Sequence, residues 1–151
     1  MSNLDAFLTM IAISEGTEPI GDRGYNVIVG STVANPHLFP SYADHPRVKV
    51  TLQPGLFSTA AGRYQILERY FDAYKAQLHL PDFSPASQDA IAEQMIREQH
   101  AFADVAAGRF DHAVTKCANI WASLPGNEYG QHQNAIADLR QAFTDAGGVM
   151  A

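Results

Sequence analysis

An acidic residue at the end of an apolar helical stretch has the type and position needed for general acid catalysis. The stretch IAISEGTEP places Glu15 directly before Gly16, and glycine commonly ends a helix. The negative end of the helix dipole and partial burial both disfavour a charged carboxylate, so both raise its pKa. A carboxyl group that keeps its proton near neutral pH can donate it to a leaving group. The alternative is a surface glutamate without a chemical role that happens to end a helix.

A second candidate segment is STAAGRYQIL, residues 58–67. Small residues around Gly62 permit close approach of a ligand or of backbone, and a helix is predicted to begin within this segment. Arg63, Tyr64 and Gln65 then supply a guanidinium, a flat ring and an amide, which are groups that bind sugars. The alternative is an ordinary helix start with a Ser/Thr cap and a tyrosine in the core.

A third candidate segment is NIWASLPGNEYGQ, residues 119–131. Trp121 lies on an apolar helical face together with Cys117, which predicts that both pack in the core. A cysteine in such a place is a poor candidate for a nucleophile. Tyr129 and Gln131 lie in or beyond a glycine-flanked turn, a position that favours ligand contact.

Length and composition limit the classes of protein that need to be considered. A chain of 151 residues predicts one domain with its own core, and its net charge of −6 argues against nucleic acid as a partner. Attraction to an anionic polymer should be weak unless the ten basic residues cluster on one face.

One cysteine cannot form an internal disulfide and indicates a reducing compartment. The scattered histidines indicate no zinc site, and no apolar run predicts a membrane span or a signal peptide.

The apolar spacing predicts mostly helices with a small antiparallel sheet in the N-terminal half. Leu4, Phe7, Leu8 and Ile11 define a first helix that Ser2 or Asn3 can cap and Gly16 can end. Strands are predicted at residues 27–29 and 48–52. Further helices are predicted from within residues 58–67 to Leu78, after Ser84-Pro85, from Asp111 to Leu124, and around Ile136, Leu139 and Phe143 up to Gly147-Gly148.

Seven segments in the same order resemble the endolysin family of phage lambda. They are SEGT, GYNVIVG, YADHPR, VTLQPGLFSTAAGRYQIL, FSPASQDAIA, NIWASLPGNEYGQ and AGG, and they extend from about Phe7 to Gly148. The resemblance implies a lysozyme-like α+β fold. It also implies one catalytic domain over residues 1–151, with two lobes around a glycan cleft.

The resemblance also implies an activity. Endolysins of this type are lytic transglycosylases: they cut the β-1,4 bond from N-acetylmuramic acid to N-acetylglucosamine in peptidoglycan, leave 1,6-anhydro ends and cause host cell lysis. Glu15 would be the catalytic acid, and no metal or cofactor would be required. A monomer is expected, acting on periplasmic glycan strands without inserting into a membrane. It would accumulate in the host cytoplasm until it is released through a membrane lesion.

By the same resemblance, six residues are expected near the sugars: Ser58, Tyr64, Gln65, Tyr25, Asn26 and Tyr129. The family pattern has an aspartate where this chain has Asn26, which favours binding over catalysis at that position. A hydrolytic muramidase is one alternative, with a second acid supplied by Glu18, Asp22 or Asp44. A non-catalytic peptidoglycan-binding domain is another, although such a domain would not need an intact Glu15.

Overall fold

Six helices and two strands occur among the residues that the computed structural model describes, which are 2–130 and 132–151. Gln131, predicted above as a ligand contact, lies outside the described residues. None of the helices found there is long and apolar enough to cross a membrane. In chain order the elements are α1 (Asn3–Glu15), β1 (Val50–Gln53), β2 (Leu56–Ser58), α2 (Glu68–Leu78), α3 (Pro85–Glu98), α4 (Phe102–Ala107), α5 (Phe110–Cys117) and α6 (Ile136–Asp145).

The chain divides into two compact units, which are described separately. Unit 1 comprises Met1–Glu15 and Ala92–Ala151, and unit 2 comprises Gly16–Ile91. The glycan cleft expected between two lobes stays a prediction.

Helix α1 begins as the sequence predicts and forms the centre of unit 1. The Ser2 hydroxyl oxygen accepts a hydrogen bond of 3.1 Å from the Asp5 backbone N–H, and the Asp5 carboxylate accepts one of 2.7 Å from the same hydroxyl. The helix packs against α4 and α6. Phe7 meets Phe110 edge-on at 5.9 Å between ring centroids, and Phe110 lies 5.0 Å from Phe143.

The helix predicted from Asp111 to Leu124 is wrong in its second half, because α5 ends at Cys117. The chain continues in tight turns in which the N–H groups of Ile120 and Leu124 bond to the carbonyl oxygens three residues earlier. The Asn127 side-chain amide donates to the Leu124 carbonyl oxygen at 2.8 Å, which occupies a group that a continuing helix would use. Trp121 is nevertheless buried, as predicted. Helix α4 was not predicted, since its six residues are too few for a clear apolar period.

Unit 2 contains the predicted small antiparallel sheet, but its strands differ from those expected. Strand β1 lies within and just beyond the predicted segment 48–52, and it pairs with β2 through Val50–Ser58 and Thr51–Phe57. The strand predicted at residues 27–29 is wrong: Val27 and Ile28 each form only an isolated bridge, to Leu38 and to Ala61.

Helix α2 begins at Glu68, so the helix start predicted within residues 58–67 is also wrong. Ala61 and Ile66 pair with each other through two backbone hydrogen bonds of 2.8 and 3.1 Å, which closes a tight loop. Within it Gly62 has φ +81° and Gln65 has φ +53°, backbone conformations that a right-handed helix cannot contain. Helix α3 begins at Pro85 directly after Ser84, as predicted.

The Gly62 loop is fixed by the fully buried side chain of Gln88. Its amide oxygen accepts from the Arg63 backbone N–H at 2.9 Å, and its amide nitrogen donates to the carbonyl oxygens of Tyr25 and Phe83 at 3.0 and 2.9 Å. A Cβ atom at position 62 would overlap this amide. The loop therefore requires glycine for two reasons, its positive φ and the close approach of Gln88.

We predict that Gly62→Ala destabilises the protein by about 3 kcal/mol, since it adds loss of buried hydrogen bonds to backbone strain. Gly55→Ala is the matched control, because Gly55 has a similar φ of +78° and no atom within 4 Å of the added Cβ. Strain alone should cost the control about 1 kcal/mol. Urea unfolding of the two variants measures both values, and equal losses would contradict the role of Gln88.

Candidate active site

Glu15 is the last residue of α1 and is partly buried. Burial raises the pKa of its carboxyl group above the ordinary value of 4.5, because the charged form loses hydration. The Ser123 hydroxyl donates a hydrogen bond of 2.6 Å to Glu15 Oε2 and lowers the pKa by a smaller amount. No other carboxylate or cation of unit 1 contributes to the shift. The site therefore favours a single neutral carboxyl group.

Three polar side chains of unit 1 form a hydrogen-bonded chain that ends at this carboxyl group. The Asn134 amide nitrogen donates to the Ser14 carbonyl oxygen and to Ser14 Oγ, both at 3.0 Å. Ser14 Oγ lies 2.8 Å from Ser123 Oγ. A backbone bond of 2.8 Å from Asn134 N–H to the Ser123 carbonyl oxygen holds the two segments together.

The direction of these bonds follows from the inventory of hydrogens. The Ser14 carbonyl oxygen can only accept, which fixes the Asn134 nitrogen on the Ser14 side. When Glu15 is a carboxylate, Ser123 donates its one hydroxyl hydrogen to it, and Ser14 then donates its own to Ser123. In the charged form Oε2 of Glu15 is therefore an acceptor. The chain of serines thus supplies the carboxylate with a hydrogen-bond donor.

Unit 2 contains a separate polar network around Asp89. The hydroxyl groups of Tyr25 and Tyr64 both donate to Asp89 Oδ1, at 2.9 and 2.6 Å, and the two rings stand almost perpendicular. Burial and the nearby Asp89 charge raise the pKa of both tyrosines. The Arg63 guanidinium lies 5.2 Å from the Tyr25 ring centroid and forms an ion pair with Glu18.

The sugar contacts expected from the resemblance remain predictions. The residues concerned in unit 2 differ from one another in burial and in their hydrogen bonds. Tyr64 is only 1% exposed, so its position suits it to hold the network rather than to contact a ligand directly. Tyr25 is only partly exposed, and Asn26 accepts a hydrogen bond of 2.8 Å from the Asp22 backbone N–H. Gln65 donates to the Gly62 carbonyl oxygen at 3.0 Å, and Ser58 accepts from Ala60 N–H at 3.1 Å.

In unit 1, Tyr129 has the exposure that ligand contact requires, at 56%. Its hydroxyl donates to the Asn119 carbonyl oxygen at 3.0 Å, which holds the ring in one orientation.

Cys117 is fully buried, and burial raises the pKa of its thiol to about 12, so it remains a core residue rather than a nucleophile. Among the described residues, no group of three or more His, Cys, Asp or Glu side chains could hold a metal ion.

Sequence reasoning missed Ser123, Asn134 and Asp89. Ser14 and Ser123 lie inside two of the matching segments, SEGT and NIWASLPGNEYGQ, and a search for hydroxyl partners of Glu15 could have selected them. Asp89 also lies inside a matching segment, FSPASQDAIA, whereas nothing in the sequence around Asn134 distinguishes it from an ordinary surface residue.

This fold and acid define a lysozyme-like protein. The chain superposes on bacteriophage lambda lysozyme complexed with a chitohexasaccharide with a TM-score of 0.93 and 48% sequence identity, covering 100% of this chain and 98% of that one. A second structure, lysozyme from bacteriophage lambda, gives a TM-score of 0.89 and 47% identity with the same coverage. The predicted lysozyme-like α+β fold is therefore confirmed.

The sequence comparison then gives the family. A family model described as Endolysin matches residues 5–150. The endolysin of Escherichia phage lambda is 50% identical over 149 residues, which cover 96% of this chain and 91% of that protein. The endolysin of Escherichia phage P2 is 48% identical over 157 residues, with 99% and 95% covered. The chain belongs to the endolysin family, which confirms the resemblance.

We predict that Ser123→Ala raises the pKa of Glu15 further, because it removes the hydrogen bond that favours the charged form. The measurement is a ¹³C NMR titration of the glutamate carboxyl groups, with the Glu15 signal identified by its absence in Glu15→Gln. Thr144→Ala is the control, since that hydroxyl in α6 bonds only to carbonyl oxygens of its own helix. An unchanged Glu15 titration in Ser123→Ala would contradict the assigned bond.

Proposed function

We propose that this chain is a peptidoglycan lytic transglycosylase that cleaves the bond from N-acetylmuramic acid to N-acetylglucosamine and leaves 1,6-anhydro ends. The observation that carries the proposal is the single neutral carboxyl group of Glu15, held by one serine and raised in pKa by burial. The chitohexasaccharide bound to the related lambda lysozyme supports a glycan substrate. A lone acid matches a reaction that needs no activated water.

In the first step the neutral Glu15 carboxyl group protonates the glycosidic oxygen as the bond from that oxygen to C1 breaks. N-acetylglucosamine leaves with a free hydroxyl, and Glu15 becomes a carboxylate. The N-acetyl group of the muramic acid stabilises the positive charge that develops at C1. The Ser123 hydrogen bond to Oε2 stabilises the carboxylate that this step leaves.

In the second step the Glu15 carboxylate takes the proton of the muramic acid C6 hydroxyl as that oxygen bonds to C1. The product is a 1,6-anhydro ring, and Glu15 returns to its neutral form. Because the attacking hydroxyl belongs to the same sugar, the step has the advantage of an intramolecular reaction. No water is added at either step.

The hydrolytic alternative needs a second carboxylate that activates water or attacks C1. Each of the three candidates in unit 2 already has a strong partner. Glu18 forms ion pairs with Arg63 and Arg23, and Asp22 accepts a hydrogen bond of 2.6 Å from the Tyr42 hydroxyl. The Arg47 guanidinium lowers the pKa of Asp44, which makes that carboxylate a weaker base. These contacts favour the single-acid mechanism.

We predict that Glu15→Gln lowers the rate of peptidoglycan cleavage by about 10⁴-fold, since the amide cannot donate an acidic proton. Binding to chitohexaose should be retained, because the amide can still accept the Ser123 bond. Turbidity loss of cell-wall suspensions measures cleavage, with Thr144→Ala as the fold-preserving control. Full clearing by Glu15→Gln would exclude Glu15 as the acid and would favour another catalytic group.

We predict that digested sacculi contain muramyl ends that are one water lighter than reducing ends. Mass spectrometry distinguishes the two products directly. Products that borohydride reduces completely would show a hydrolase, and cell walls that are bound without cleavage would show a binding domain.

We also predict that the cleavage rate follows a bell-shaped pH profile, since Glu15 alternates between acid and base.

We also propose that the protein acts as a monomer and collects in the host cytoplasm before a membrane lesion gives it access to the wall. Fractionation of lysing cells tests this route. Recovery of the protein from the periplasm before any lesion forms would overturn it.

A further inference from the structure

The arrangement of basic side chains raises a question, because a chain with net charge −6 must bind an anionic wall polymer if the proposed function is right. Most of its ten cationic side chains already have a carboxylate partner. Seven form ion pairs: Arg23, Arg47, Arg63, Arg97, Arg109, Lys116 and Arg140.

Among the described residues, the ion pairs do not include Lys49, Arg69 or Lys75. Lys49 and Arg69 line one depression of about 290 Å³ on unit 2, together with Phe57, Ser58, Thr59 and Leu67. None of these lining residues is acidic. Two cations without a carboxylate partner therefore face the same small space.

The two hydroxyl groups in this depression are also oriented as donors. Ser58 Oγ accepts a hydrogen bond of 3.1 Å from the Ala60 backbone N–H, and Thr59 Oγ1 accepts one of 3.0 Å from the Glu68 backbone N–H. No protein acceptor for either hydroxyl hydrogen is found in the described part of the chain. Each hydroxyl can therefore donate its hydrogen to an atom bound in the depression.

Aromatic rings hold the two cations in place. Lys49 Nζ lies 4.5 Å from the Phe57 ring centroid, and Arg69 Cζ lies 4.9 Å from the Tyr70 ring centroid. Such contacts leave the N–H groups outside the ring face available for hydrogen bonds. The depression thus presents two positive charges and two hydroxyl donors, which is the chemistry that binds a carboxylate.

We propose that the Lys49–Arg69 depression binds a carboxylate carried by a substituent of the glycan strand. This inference rests on the proposed function and adds to it a preference for muramyl glycans over neutral chitin. Ser58, expected from the family resemblance to lie near the sugars, also lines the depression. Carboxylates of the stem peptide and of the muramyl lactyl group share the required chemistry.

The test uses Glu15→Gln as the parent, so that binding is measured without cleavage. Three ligands are compared: chitohexaose, peptide-bearing glycan strands, and strands stripped by an amidase, whose lactyl carboxylates are free. Replacing both cations (Lys49→Met and Arg69→Met) should weaken binding to at least one of the two kinds of strand by about fivefold, as expected for two exposed charge contacts. Chitohexaose binding should not change, and the salt dependence of strand binding should decrease.

Two further variants separate the depression from net charge. Lys75→Met removes a cation that does not line the depression, and it should leave strand affinity unchanged. Exchanging the two cations (Lys49→Arg with Arg69→Lys) keeps both positive charges and should retain affinity. An effect confined to stripped strands identifies the lactyl carboxylate, an effect confined to peptide-bearing strands identifies the stem peptide, and an effect on both shows that the depression accepts either carboxylate. Thermal melting confirms that each variant folds.

Three results would overturn the proposal. They are equal affinity of the double variant and its parent for both kinds of strand, an equal loss for chitohexaose, and an effect of Lys75→Met as large as that of the pair. A parent that binds none of the three ligands would overturn the proposed function as well. Normal binding by the parent with no effect of the double variant would overturn the depression alone.

Discussion

The site depends on the burial of one carboxyl group that accepts a hydrogen bond from the Ser123 hydroxyl. An arginine or lysine beside Glu15 would stabilise the carboxylate and would lower its pKa. Instead the Ser123 hydroxyl contacts one oxygen, and loss of hydration outweighs the effect of that bond. The acid therefore stays neutral at a pH where an exposed glutamate would be ionised.

The serine chain gives this carboxyl group a hydrogen-bond donor. Asn134 orients Ser14, Ser14 orients Ser123, and Ser123 contacts Oε2. The Asn134 nitrogen can only donate and the charged form of Glu15 can only accept, so the bonds are directed toward Oε2 when Glu15 is a carboxylate. The base of the second step of the proposed reaction is therefore stabilised by a hydroxyl group.

Unit 2 uses its charges differently. Arginines pair with the carboxylates that could otherwise act as a second base, and two tyrosines share Asp89. These side-chain contacts add to the backbone hydrogen bonds of the irregular loops in unit 2. The cations of Lys49 and Arg69 differ from this pattern, which is why their depression indicates a ligand rather than a structural contact.

Local signals predicted the features that depend on neighbouring residues. Helix α1 with its end at Glu15, its Ser2 cap and the start of α3 at Pro85 all follow from spacing and capping. The start of α2 did not, because the Gly62 loop is set by the pairing of Ala61 with Ile28 and by the hydrogen bonds of Gln88. The serine chain could not be predicted either, since Asn134 and Ser14 are 120 residues apart.

The central claim is that folding raises the pKa of Glu15, and proton linkage tests it most directly. A carboxyl group with a raised pKa in the folded state stabilises the fold fully below its unfolded pKa, and this contribution is lost as pH rises through the folded pKa. The measurement is the free energy of unfolding of the wild type minus that of Glu15→Gln across the acidic to mildly basic range. The account predicts a difference that is constant at low pH and turns against the wild type above pH 4.5, the ordinary value. A difference that does not change with pH, or that changes in favour of the wild type, would contradict it.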